Sequence, residues 1–133
     1  MHKTEHIGIA VKSLETSIPL FEKLLQTNCY KTELVESEGV QTAFFKSGET
    51  KIELLESVDP GGVIARFIQK KGEGMHHIAF EVADIATEME RLRKEGFMIL
   101  NEEPKQGADN KLVCFLHPKD TNGVLIELCQ AIT

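Results

Sequence analysis

The sequence predicts an α+β fold of two tandem βαβββ modules whose strands join in one curved mixed sheet. Three observations predict it. The order strand, helix, strand, strand, strand is written twice in 133 residues. The opening strands superpose, Glu5-His6-Ile7-Gly8-Ile9-Ala10-Val11 on His76-His77-Ile78-Ala79-Phe80-Glu81-Val82 with His6 on His77. The closing strands do so too, Ile52-Glu53-Leu54 on Ile126-Glu127-Leu128. His6 and Glu53 are 47 positions apart and His77 and Glu127 are 50 apart, a difference that one loop insertion absorbs. The expected organisation is one domain over 1–133, with repeat one at about 4–57, a linker helix at about 61–72 and repeat two at about 75–130. Each half has too few strands to cover its own sheet faces, so the two are read as one domain.

The elements follow in order. Glu5 to Val11 alternates in the manner of a strand. Ser13 is a helix N-cap, and Leu14, Ile18, Phe21 and Leu25 make one helical face, with Pro19 expected to disturb its first turns. Tyr30–Val35, Gln41–Lys46 and Lys51–Leu55 read as strands, the last two joined by the turn Ser47-Gly48-Glu49-Thr50. Pro60-Gly61-Gly62 opens the linker helix, whose apolar positions are Val63, Ile64, Phe67 and Ile68. His76–Val82 restarts the pattern, Asp84 caps a helix carrying Ile85, Met89 and Leu92, and Gly96 closes it. Phe97–Asn101, Leu112–Leu116 and Val124–Cys129 are the remaining strands, with a turn at Lys119-Asp120-Thr121-Asn122-Gly123.

Composition excludes several classes. At 41% hydrophobic and 27% charged, the chain is neither disordered nor a disulfide scaffold. Its 15 Lys+Arg against 21 Asp+Glu leave a net charge of −6 with no basic stripe, so no nucleic-acid partner is expected. No apolar run approaches the roughly 20 residues of a membrane span, and Met1–Glu5 lacks the layout of a signal peptide. Cys29, Cys114 and Cys129 show no CxxC spacing. They are expected to be free thiols acting as small apolar residues in a reducing cytoplasm.

Alternation then sorts the faces. Ile7, Ile9 and Val11, like Ile78, Phe80 and Val82, should pack on the helices, and so should Ile52, Leu54, Ile126 and Leu128. The opposite, inner face receives His6, Gly8, Ala10 and Glu53 from one repeat and His77, Ala79 and Glu127 from the other. Small residues beside ionisable ones imply a cavity. Buried carboxylates are costly without a partner, and a divalent cation held by His6, Glu53, His77 and Glu127 would supply one. Two neutral imidazoles and two carboxylates balance its charge, and a six-coordinate ion keeps two positions open for chemistry. His76 faces away from His77; His2 and His117 have no repeat equivalent and read as structural. Glu56, Glu81, Glu102 and Glu103 read as solvated edges and loops.

These residues resemble the vicinal oxygen chelate (glyoxalase) superfamily, and within it the methylmalonyl-CoA epimerase family. The resemblance spans nearly the whole chain. It is most specific at Gly74-Met75-His76-His77-Ile78-Ala79-Phe80 and Phe115-Leu116-His117-Pro118-Lys119-Asp120, with support from residues 64–71 and 101–107. It implies one divalent ion per chain, Co²⁺ or Zn²⁺ first and Mn²⁺ or Ni²⁺ next, on His6, Glu53, His77 and Glu127. It further implies interconversion of (R)- and (S)-methylmalonyl-CoA by proton abstraction at C2, a metal-stabilised enolate and reprotonation on the opposite face, with Glu127 and Glu53 as the catalytic carboxylates. The implied partner is a small acyl-CoA, and the implied assembly a homodimer. A further glutamate that some members carry in repeat one falls on Thr42 here, a departure that directs attention to Glu53. Lys105, Lys111 and Lys119 are loop lysines that could reach phosphates, and nothing in the sequence marks a CoA pocket. A glyoxalase I-like lyase would use the same four ligands, and a non-catalytic small-molecule-binding module of this fold would need none.

Overall fold

The computed structural model describes residues 1–133. In chain order the elements are β1 (Lys3–Ala10), α1 (Leu14–Leu25), β2 (Lys31–Val35), β3 (Val40–Ser47), β4 (Thr50–Ser57), α2 (Val63–Lys71), β5 (Gly74–Glu81), α3 (Ile85–Lys94), β6 (Lys105–Gly107), β7 (Lys111–Leu116) and β8 (Ile126–Ala131). The α+β class and the two βαβββ copies are therefore as predicted. No helix is long and apolar enough to cross a membrane.

The chain forms two compact units, His6–His76 and Met1–Glu5 with His77–Thr133. In the first, β4 lies between β3, antiparallel to it, and β1, parallel to it, while β2 pairs with β3 outside. Ser13 accepts the Thr16 N–H, so α1 starts where the cap predicts. Pro19 sits inside the helix, which runs on unbroken to Leu25. Val11, Leu14, Ala43, Phe45 and Leu54 form the core beneath α1, joined by Ile9, Ile18, Phe21 and Ile52. The Phe21 and Phe45 rings lie 6.1 Å apart.

The second unit repeats the plan. β5 is parallel to β8, β8 antiparallel to β7, and β7 to the short β6. Asp84 caps α3 by accepting the Thr87 N–H. Val82, Ile85, Met89, Leu92, Cys114, Leu116 and Leu128 make its core, with Phe80 and Ile126 packed on it. The N-terminal residues belong here: the His2 N–H donates to the Glu81 carbonyl at 2.9 Å.

One predicted strand is corrected. Phe97–Asn101 makes only an isolated bridge, Ile99 to Leu116, flanked by Leu100 N–H to Phe115 O and His117 N–H to Met98 O. The ladder stops because the Asn101 carboxamide oxygen itself takes the Phe115 N–H at 3.0 Å. Arg93 meanwhile holds the Asn101 and Glu102 carbonyls. The outer strand of this unit is instead β6. The last strand also begins later than Val124, because Thr121 ties Val124 into the preceding turn.

Candidate active site

The site residues are placed by strand register. In the first unit Gly8 of β1 lies opposite Glu53 of β4, and Glu53 lies opposite Phe44 of β3. Glu53 reaches back along β1 to His6, two residues before Gly8. Its Oε1 stands 3.3 Å from His6 Nε2. In the second unit the same row reads Ala79, Glu127, Phe115. Glu127 Oε1 lies 3.1 Å from His77 Nε2. The Phe115 ring meets the His77 imidazole edge to face, at 6.0 Å and 86°.

All four side chains are buried, with exposures of 6% for His6, 4% for Glu53, 4% for His77 and 5% for Glu127. A buried carboxylate is costly unless it is paired and hydrogen-bonded. Here each has an imidazole beside it, and the arrangement occurs once per unit. Two imidazole nitrogens and two carboxylate oxygens are the mixed donor set that borderline divalent ions favour. Within each unit the buried pair offers one nitrogen and one oxygen donor of that kind.

The Glu127 charge is felt by the thiols around it. Burial, then the Glu127 charge, pushes the Cys114 thiol up to about 11. Cys129, buried beside Ala79 and Val113, is pushed up as well, by burial first and then by Glu127 and Glu5. Both stay protonated at neutral pH, which removes them as nucleophiles. All three cysteines are free, as expected.

Other sequence readings resolve individually. His76 points away from His77 and meets the Phe67 ring at 4.9 Å. His117 Nδ1 accepts the Lys119 N–H, and His2 lies 3.6 Å from Glu81, both structural roles. Thr42 is fully buried and its hydroxyl donates to the Glu33 carbonyl. Lys105 and Lys111 stand on β6 and β7 rather than in loops, while Lys119 lies in a turn.

Glu56 is not a solvated edge residue. It accepts the Leu14 N–H at 2.6 Å, at the first turn of α1. Gln130 does the same for the Ile85 N–H of α3 at 2.8 Å. The signal was present, since Glu56 follows Glu53 by the same three positions as Gln130 follows Glu127. Glu5, only 2% exposed, is a buried acid that the strand pattern gave no reason to expect.

The sequence profile of the Glyoxalase/Bleomycin resistance protein/Dioxygenase superfamily matches residues 5–115. An ethylmalonyl-CoA/methylmalonyl-CoA epimerase from Cereibacter sphaeroides is 40% identical over 130 residues, covering 96% of this chain and 97% of that protein. The mitochondrial methylmalonyl-CoA epimerase of Homo sapiens is 41% identical over 130 residues, covering 97% of this chain and 74% of that protein. Among solved structures, a variant of the Streptomyces coelicolor methylmalonyl-CoA epimerase in complex with 2-nitronate-propionyl-CoA superposes with a TM-score of 0.93. It is 31% identical, over 100% of this chain and 99% of that one.

Proposed function

The chain belongs to the glyoxalase/bleomycin resistance protein/dioxygenase superfamily and, within it, to the methylmalonyl-CoA epimerases, which are isomerases; from that premise we propose that it interconverts (R)- and (S)-methylmalonyl-CoA, with one divalent ion held by His6, Glu53, His77 and Glu127. The observation that carries this reading is the repeated buried pair. The same imidazole–carboxylate contact, beside the same kind of small residue, occupies equivalent register positions in both units.

The substrate explains why two such pairs are useful. C2 lies between a thioester carbonyl, which acidifies its proton, and a carboxylate, which needs a neighbouring positive charge before an enolate can form beside it. When bound, the ion supplies Lewis-acid polarisation of substrate oxygens. The protein's part is proton transfer. Glu127 removes the C2 proton, and Glu53, protonated, returns one to the other face of the planar carbon. Inversion needs an acid and a base on opposite faces, and a duplicated chain provides one carboxyl group per copy. A carboxylate acting as base needs a lone pair free of other partners, so at least one of the two loosens its contacts during turnover. Phe44 and Phe115, opposite the two glutamates, keep the carboxyl groups against apolar surface. An apolar neighbour strengthens each electrostatic interaction.

Within the same reading the ion is Co²⁺ or Zn²⁺, with Mn²⁺ and Ni²⁺ next, the setting is a reducing cytoplasm and the assembly a homodimer. The test supplies methylmalonyl-CoA in deuterated water and, separately, the hemithioacetal of methylglyoxal and glutathione. Deuterium is expected at C2 together with equilibration of the (R) and (S) forms. Turnover of the hemithioacetal alone would replace this reading with the lyase one, and turnover of neither would leave a binding module.

A further inference from the structure

Apart from the paired acids, the first unit has a cleft of about 310 Å³ where the ends of β1 and β4 meet α2. Ser57 stands four residues beyond Glu53 on β4, so roughly 13 Å of strand separates the cleft from that carboxylate. Val11, itself buried, lines one wall. Ala65 and Ile68, three positions apart and so on one face of α2, line another. Three polar residues share this apolar cleft: Lys12, Ser57 and Asp59. Lys12 and Asp59 carry opposite charges, yet they form no ion pair with each other. Each is tied to the fold through other atoms. The Lys12 backbone N–H donates to Glu73 Oε2 at 2.7 Å, which anchors the residue and leaves its ammonium unpaired. Asp59 Oδ1 accepts the Gly61 N–H at 3.0 Å. The Asp59 carbonyl takes the Ser57 hydroxyl at 2.5 Å and the Gly62 N–H at 2.9 Å. This turn requires glycine at position 62, since a Cβ there would fall 2.6 Å from Ser57 Oγ. The second Asp59 carboxylate oxygen is left without a partner in the chain, and Ser57 Oγ keeps its lone pairs.

Small molecules bind in mostly apolar hollows of roughly 300–1,000 Å³ whose few polar groups fix orientation. This cleft has that make-up and adds a charge pattern of its own. A plain anion would gain Lys12 but face the Asp59 carboxylate, and a plain cation would meet the reverse. A ligand that carries both charges satisfies both residues. We propose that the cleft binds a small aliphatic α-amino acid as its zwitterion. The ligand carboxylate pairs with the Lys12 ammonium. The ligand ammonium donates to Asp59 Oδ2 and to Ser57 Oγ. The aliphatic side chain lies between Val11 and the Ala65–Ile68 face of α2, where it leaves water. Charge-assisted bonds are the strong class of hydrogen bond, and two opposed ones fix the ligand's direction. The site is independent of the epimerase reading, because none of its residues belongs to the imidazole–carboxylate pairs.

The probe is L-leucine, titrated calorimetrically into the full chain, and the wild type is expected to bind it. Isocaproate lacks the ammonium and isopentylamine lacks the carboxylate. Each should bind about tenfold more weakly or worse, the cost of one lost bond to a charged group. Lys12→Met and Asp59→Asn should weaken leucine binding by the same factor, with the melting temperature unchanged. Asp59→Asn keeps an oxygen for the Gly61 N–H, so the turn survives the substitution. Lys12→Arg should retain binding. No binding of leucine by the wild type, equal affinity for leucine and either analogue, or undiminished binding in both Lys12→Met and Asp59→Asn would overturn the site.

Discussion

In the proposed reaction Glu127 is the base that takes the C2 proton. Changing it to glutamine keeps the side-chain length and one acceptor oxygen and removes the ability to take a proton. Glu127→Gln should lower deuterium incorporation at C2 by at least ~100-fold, in the range that a lost general base costs, with the melting temperature close to wild type. Proton NMR of the C2 signal measures it; undiminished exchange would hand the role of base to another group. The His6–Glu53 and His77–Glu127 contacts were legible because duplication names each residue twice. A lone histidine on a strand is mute, but a histidine, a small residue and a glutamate at matching points of two copies are not. Glu56 was misread for a related reason. Its partner is the backbone N–H of Leu14, and such a donor exists only once α1 has docked.

At the scale of elements, strands and helices were read well where one face is buried, since the alternation and the 3.6-residue stripe then have a physical cause. The failure at Phe97–Asn101 is instructive. Its apolar pattern suits a strand, and it does run beside β7, yet the Asn101 side chain occupies the N–H that a longer ladder would use. Side-chain competition for a backbone donor is a tertiary event that local pattern does not contain. The bonds at the starts of α1 and α3 yield a prediction. Removing the acceptor in Glu56→Ala or Gln130→Ala should destabilise the fold by about 1 kcal/mol each, the usual cost of a lost cap or hydrogen bond. Glu56→Gln should recover most of it, because glutamine already performs this task at position 130. Urea unfolding midpoints at constant m-value measure the difference.

For the molecule as a whole, the α+β class and the duplicated plan followed from order and spacing alone, because each copy places one helix over its own parallel pair, β1 with β4 and β5 with β8. The proposed ion makes the two copies interdependent. Losing His6 and Glu53 together, or His77 and Glu127 together, should abolish stoichiometric metal binding to the same extent, as read by elemental analysis of the purified protein. Stripping the wild type with a chelator and restoring the ion should raise stability by about 3 kcal/mol at a hundredfold excess over the dissociation constant. Tight binding that survives loss of one pair would mean that each copy holds its own ion.

The segments Ile52–Glu56 and Ile126–Gln130 each present an acid on one side and, three positions later, a clasp for the helix on the other. A five-residue word thus serves as workbench and hinge pin at once. Whatever tugs on the helix must also tilt the acid, so in these two stretches damage to packing and damage to chemistry will arrive together, and a survey of random changes there should find few that spare one while harming the other.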